Sequence, residues 1–297
     1  MKFLTYLRHD EERLAVVAPD RSRAIDVVSA GEALGAFSVP RSMLELVTGG
    51  NDALNRVEDL LRRVEELPPE ATIEPGGSVL APIPRPRKNL FAVGLNYVRH
   101  TREFTGSDRL PDDPIIFTKA PTSVVGPNVA IELRPDLSSQ VDYEGELGVV
   151  IGRRGRDIPA ERAEEHIFGY TIINDVTARD LQKRTSQWFL GKSLDTFCPM
   201  GPYLVHKSAV GWPVKLGLRT IVNGEVRQDS NTELLYFDIP TLIATISAGI
   251  TLEPGDVIAT GTPEGVGMGF DPPKFLMAGD VVEIEIEGLG ALRNPVR

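Results

Sequence analysis

Val141-Asp142-Tyr143-Glu144-Gly145-Glu146-Leu147-Gly148-Val149-Val150-Ile151 reads as a β-strand running into a β-branched core segment. Side chains alternate between the faces of a strand, so Glu144 and Glu146 share one side while Tyr143 and Leu147 share the other. Adjacent carboxylates repel each other, and burying them unpaired is costly. An isolated Glu-x-Glu is commonly a solvated strand face. Here the run passes at once into Gly-Val-Val-Ile, with no wet edge. A second apolar strand, Tyr170-Thr171-Ile172-Ile173-Asn174, leads directly into Asp175. Three oxygen donors on two buried strands suit a hard divalent cation such as Mg²⁺ or Mn²⁺, with Ca²⁺ a further candidate.

The chain has 297 residues and a formal charge of −10, ample for a sizeable core. That charge disfavours nucleic acid or an anionic membrane as the main partner, while local Arg and Lys can still build a pocket for an anion. The single cysteine, Cys198, can close no internal disulfide and is read as a buried structural thiol in a reducing compartment. The first ten residues hold too short an apolar stretch for a signal peptide, and no run approaches a membrane span. A cytoplasmic, soluble protein is expected.

Short strands are expected at Phe3–Leu7, Leu14–Val17 and Ala24–Val28. Apolar residues then recur at helical spacing from Asp52 to Leu67, where Pro68-Pro69 stops them. The segment Ala81-Pro82-Ile83-Pro84-Arg85-Pro86-Arg87 reads as a stiff connector. It is the expected domain boundary, with 81–88 linking residues 1–80 to residues 89–297. Beyond it strands dominate: Leu90–Val93, Ile115–Thr118, Tyr170–Ile173 and Val281–Ile286. Asn223-Gly224 between Leu218–Val222 and Val226 signals a type I′ hairpin. Helices are expected at Ala160–Ile167, Thr177–Arg184 and Ile239–Ala248. The class is therefore α+β and β-rich, not a doubly wound parallel sheet.

Further clusters carry chemistry. In Gly94-Leu95-Asn96-Tyr97-Val98-Arg99-His100-Thr101-Arg102-Glu103, His100 and Glu103 share a face of a helical turn. A carboxylate beside an imidazole orients it as a base, although such pairs also occur by chance on surfaces. After Asp175, Thr177 is a candidate helix N-cap, and Arg179 and Gln182 project together. They suit a substrate carboxylate or enolate oxygen, or else a solvated helix face. Lys192 lies in a loop rich in apolar residues, where it either polarises a carbonyl or reaches out to solvent. Thr260-Gly261-Thr262-Pro263-Glu264-Gly265 lacks the ending of a phosphate loop and reads as a tight active-site loop with Thr262 facing the ligand.

Together these motifs, in order along the chain, resemble the fumarylacetoacetate hydrolase family. The likeness runs from about residue 85 to the C-terminus, and it implies a catalytic domain over 89–297 preceded by a small N-terminal α/β domain over 1–80. It implies a mixed β-roll catalytic domain, usually a homodimer, with Mg²⁺ or Mn²⁺ held by Glu144, Glu146 and Asp175. It also implies catalytic roles for His100, Glu103 and Lys192, with the first two on a lid. Arg179, Gln182, Thr262, Asn96 and Tyr97 would bind a small anionic keto acid. The expected reaction is hydrolysis of a C–C bond in a 2,4-dioxo acid. The same site could instead run oxaloacetate decarboxylation or tautomerisation, or hydratase and isomerase chemistry. A metal-dependent binding protein without turnover is a remote alternative.

Overall fold

A computed structural model describes residues 1–18, 20, 23–36, 38–73, 78–107 and 109–297. Among the described residues, an eleven-stranded sheet runs through the whole molecule. Its path is β4 (Thr72–Ile73), β3 (Ala24–Asp26), β2 (Glu11–Val17), β1 (Lys2–Arg8), β12 (Cys198–His206), β10 (Ile167–Asn174), β9 (Gly145–Ile151), β15 (Val257–Ala259), β5 (Leu90–Gly94) and β6 (Ile115–Lys119). Off that path, β7 (Val124–Val125) pairs with β12. A second sheet orders β14 (Glu225–Asn231), β13 (Gly217–Val222), β16 (Val281–Ile286) and β17 (Gly290–Pro295). A short ribbon joins β8 (Val141–Asp142) to β11 (Thr177–Ala178). The β-rich α+β class expected from the sequence is the one observed. Among the described residues no helix is long and apolar enough to cross a membrane.

The main core lies between the two sheets, where Leu147, Val149 and Ile172 meet Leu218, Val282 and Ile284. Burying each such side chain contributes about 1.5–3 kcal/mol. A second core joins the N-terminal strands to the rest: Phe3, Leu14 and Ile25 pack with Phe168, Met200 and Leu204. It follows from the antiparallel pairing of β1 with β12, in which Phe3 faces Leu204. Helices α1 (Val27–Leu34) and α2 (Met43–Arg62) cover the N-terminal strands, and Thr5 Oγ1 donates to the Pro82 carbonyl across the proline segment. The Asn223-Gly224 turn has positive φ at both residues (53° and 83°), as a type I′ hairpin requires.

Several local expectations need correction. The strand expected over 141–151 breaks at Tyr143-Glu144, because β8 leaves to pair with β11 while β9 continues in the large sheet. The strand expected at Ala24–Val28 ends at Asp26, whose carboxylate caps α1 by accepting the Ser29 N–H. The helix expected from Asp52 starts nine residues earlier at Met43, and Gly50, with φ 54° and ψ −137°, breaks its regularity. Thr177 is not an N-cap: it lies in β11, and its hydroxyl donates to the Asp175 carbonyl.

Candidate active site

Antiparallel pairing of β9 with β10 builds the centre of the site. Ile173 lies opposite Glu146 and Asn174 opposite Gly145, so the strand end bearing Asp175 falls beside both glutamates. The Glu144 N–H donates to Asn174 Oδ1 at 3.0 Å, and the Asp175 N–H to the Glu144 carbonyl at 2.9 Å. Gly145 is needed here because a Cβ would stand 2.3 Å from Thr220 Oγ1 of the second sheet. One carboxylate oxygen each from Glu144, Glu146 and Asp175 lie within 4.8 Å of one another, and all three residues are buried.

Cations crowd this triad. The Lys192 ammonium, at the end of α6 (Phe189–Lys192), donates to Glu144 Oε2 at 2.6 Å and to Asp175 Oδ2 at 2.7 Å. Arg179, opening α5 (Arg179–Arg184), reaches Glu144 Oε1 with Nη1 at 2.6 Å and Asp142 Oδ2 with Nε at 2.9 Å. Burial works against ionisation of Glu144, yet Lys192 and Arg179 together hold its carboxyl down at about 2. Glu146 fares differently. It accepts the Gly261 N–H at 2.8 Å, but burial and the charges of Asp175 and Glu144 push its carboxyl well above the usual range. The triad is thus short of positive charge. Three buried carboxylates with one unneutralised are a donor set fitted to a hard divalent ion, and the ammonium of Lys192 already acts as a cation between two of them.

The helix α3 (Val98–Thr105) brings the second cluster to the same place. His100 Nδ1 lies 3.1 Å from Glu103 Oε2, and Glu103 Oε1 accepts the Gly265 N–H at 3.0 Å. With Nδ1 committed to a carboxylate, Nε2 is the nitrogen left for proton transfer. A pocket is lined on its polar side by His100, Glu144, Glu146, Arg179, Gln182, Lys192 and Thr262. Arg179 Nη2 is buried with no hydrogen-bond partner among the described residues, an exception to the usual pairing of buried donors. Thr262 Oγ1 donates to the Gly145 carbonyl and accepts from Gln228 Nε2, which fixes the glycine loop.

Two expected substrate contacts are displaced. Asn96 is fully buried away from the cavity. Its Nδ2 donates to the Phe237 and Thr260 carbonyls, and its Oδ1 accepts the Phe237 N–H at 2.7 Å. All its polar capacity goes to tying the 94–97 turn to two loops. Tyr97 is likewise buried outside the lining, its backbone bridged to Leu235. Cys198 is inert, its thiol pushed up to about 12 by burial.

Two positions built into the site escaped the sequence. Lys119, at the end of β6, is fully buried and donates to Asp175 Oδ1 at 2.5 Å, to the Val176 carbonyl at 3.3 Å and to the Lys192 carbonyl. In the sequence it is one lysine closing an apolar strand, 56 residues before its partner Asp175. Asp142 accepts from Arg179 Nε and from the Gly267 and Met268 N–H groups, so it positions both the arginine and the loop.

A β-rich fold thus gathers a buried carboxylate triad, a glutamate-partnered histidine and an unpaired arginine donor around one pocket. Residues 89–297 match the family description "Fumarylacetoacetate (FAA) hydrolase C-terminal". Oxaloacetate tautomerase YisK of Bacillus subtilis is 43% identical over the full length of both chains. The mitochondrial oxaloacetate tautomerase fahd2 of Xenopus laevis is 46% identical over 87% of this chain and 79% of its own. Among solved structures, the fumarylacetoacetate hydrolase of Exiguobacterium antarcticum superposes with a TM-score of 0.83 at 40% identity, covering 100% of this chain and 99% of that one. The maleylpyruvate hydrolase of Sphingobium sp. SYK-6, solved with manganese(II) and pyruvate, gives 0.76 at 30% identity over 100% and 98%. The chain belongs to the fumarylacetoacetate hydrolase family, whose members are enzymes: hydrolases, isomerases and tautomerases.

Proposed function

We propose that the protein is a divalent-metal-dependent enzyme of small 2-keto acids whose principal reaction is keto–enol exchange of oxaloacetate. The observation that carries this reading is the polar side of the cavity. There the Glu144–Glu146–Asp175 triad stands beside the unpaired Arg179 Nη2 and the Glu103-bound His100. The full-length likeness to oxaloacetate tautomerases supports the choice of substrate.

Glu144, Glu146 and Asp175 would hold Mg²⁺ or Mn²⁺. When bound, such an ion polarises a carbonyl as a Lewis acid and stabilises an enolate. Arg179 Nη2 and Gln182 hold the substrate carboxylate, a pairing suited to the planar guanidinium. In the exchange one proton leaves C3 and one is gained by the C2 oxygen. His100, oriented by Glu103, is the base for the first, and the buried Lys192 ammonium faces the second. The negative charge developing on oxygen is met by donors already in place. A homodimer, as the family resemblance implies, and a cytoplasmic location, as the sequence leads one to expect, belong to the same reading.

A second reading, hydrolysis of a C–C bond in an acylpyruvate, is favoured by the His100–Glu103 pair, which would equally activate water. Incubation of metal-loaded protein with oxaloacetate, acetylpyruvate and fumarylpyruvate separates them by products. Interconversion of oxaloacetate forms without pyruvate supports the tautomerase, and pyruvate plus a carboxylic acid supports the hydrolase. Carbon dioxide and pyruvate from oxaloacetate alone point to decarboxylation. No reaction with any of the three contradicts both readings.

A further inference from the structure

The apolar side of the same cavity has a structure of its own. Gly94 ends β5, Phe104 lies near the end of α3, Phe117 sits on β6, and Trp188 immediately precedes α6; all four line the cavity. The indole of Trp188 lies directly on Gly94: a Cβ there would stand 2.3 Å from its Cζ3 and 2.8 Å from its Cη2. The Trp ring thus takes the volume that any side chain at position 94 would fill. Phe117 meets the indole edge-on, with ring centroids 5.4 Å apart and planes at 68°, and Phe104 braces it at 6.1 Å and 59°. Such tilted contacts between aromatic rings are mutually favourable and hold the indole in place.

This wall stands close to the polar groups. The Lys192 ammonium lies 5.0 Å from the Phe117 ring centre, and the His100 ring is 6.3 Å from that of Phe104. A 2-keto acid held by Arg179, Gln182 and Lys192 therefore meets aromatic carbon soon after C3.

We propose that Trp188, seated on Gly94 and braced by Phe104 and Phe117, sets the upper limit on substrate chain length, admitting acids the size of pyruvate and oxaloacetate and excluding longer acylpyruvates. This rests on the reading of the cavity as a 2-keto-acid site. Trp188 acts by occupying space. Its backbone carbonyl accepts the Lys192 N–H at 3.1 Å, a bond that shortening the side chain leaves intact.

The test is a binding series, read by calorimetry on Mn²⁺-loaded protein: pyruvate, 2-oxobutanoate, 2-oxopentanoate and 2-oxohexanoate. In an open apolar channel each added methylene strengthens binding by about fourfold. Against a packed wall each addition beyond the four-carbon acid weakens it. Wild-type protein is expected to show the falling series and Trp188→Ala the rising one, with pyruvate affinity changed by less than about threefold in the variant. Gly94→Ala, which drives the indole toward the ligand, is expected to weaken 2-oxobutanoate more than pyruvate. A rising series in the wild type overturns the proposal without recourse to any variant. So does a Trp188→Ala protein that loses affinity equally for every acid, since that marks a structural role. Failure to bind even pyruvate overturns the 2-keto-acid reading itself, and the length limit with it.

Discussion

Lys119 Nζ stands 2.5 Å from Asp175 Oδ1, with both side chains completely buried. The pair joins the far side of the triad to β6, while the same ammonium also binds the carbonyls of Val176 and Lys192. One lysine thereby fixes an acidic site residue and the backbone of a basic one. Breaking a buried pair from one side leaves an uncompensated charge, which is costly. Lys119→Met is expected to destabilise the metal-free protein by about 3–5 kcal/mol in urea unfolding. Saturating Mn²⁺ should recover part of that loss, because the ion supplies charge to Asp175. An unchanged unfolding midpoint would mean that the pair does not hold the site together.

Glu146 carries the clearest signature of a missing positive charge. Among the described residues, Asp142, Glu144, Glu146 and Asp175 are buried together with the cations Lys119, Arg179 and Lys192, three positive charges against four carboxylates. Because burial and its acidic neighbours raise its carboxyl, Glu146 keeps a proton where an ordinary glutamate has none. A divalent ion must displace that proton, so binding should release protons and tighten as pH rises. Calorimetric titration with Mn²⁺ in buffers of different ionisation enthalpy measures the release. Glu146→Gln should abolish it and weaken binding; equal heats in all buffers would contradict the assignment.

His100 and Glu103 touch none of the triad carboxylates by hydrogen bond, so their removal should separate chemistry from metal binding. His100→Ala is expected to lower kcat by about 10²–10⁴-fold, the usual contribution of a positioned base. The affinity for Mn²⁺ should stay within experimental error. Glu103→Gln should also lower kcat, since it disturbs both the ring orientation and the bond to the Gly265 N–H. Loss of metal binding in His100→Ala would place the histidine in the metal site instead.

His206 lies on β12, half-buried against Phe168; its backbone N–H donates to the Met1 carbonyl and its ring Nδ1 lies 2.8 Å from Ser208 Oγ. Burial, with the nearby N-terminal amine, lowers its pKa from 6.5 to about 4. The unfolded chain takes up this proton near the ordinary value and the folded chain only near the lower one. Between pH 6.5 and about 4 the unfolded state therefore binds more protons, and stability falls as pH falls. Above 6.5 the contribution is complete. The Tm should drop through the upper part of this window, and His206→Asn should flatten the decline. Parallel profiles for the two proteins would exclude His206 as the cause.

Much of this site is local in sequence, and that part was legible. Glu144 and Glu146 share one strand, Arg179 and Gln182 one helical turn, and His100 and Glu103 another, so period alone brings each pair together. The Asn223-Gly224 hairpin was readable for the same reason. What escaped depends on pairings between distant segments. Lys119 meets Asp175 across 56 residues, and Trp188 reaches Gly94 only because α6 packs beside β6. Asn96 misled because an amide in a motif resembles a substrate contact, whereas burial turned its donors and acceptor to backbone groups. The strand break at Tyr143-Glu144 was hidden because both halves carry strand-forming residues.

The central claim, metal-dependent keto–enol exchange at the Glu144–Glu146–Asp175 site, is tested most directly by the ketonisation rate of enol-oxaloacetate, followed by ultraviolet absorbance. Mn²⁺-loaded protein should accelerate it over buffer, EDTA should abolish the acceleration, and added Mn²⁺ should restore it, with Glu146→Ala inactive throughout. A rate no faster than buffer, or an acceleration that survives both EDTA and Glu146→Ala, would contradict the account.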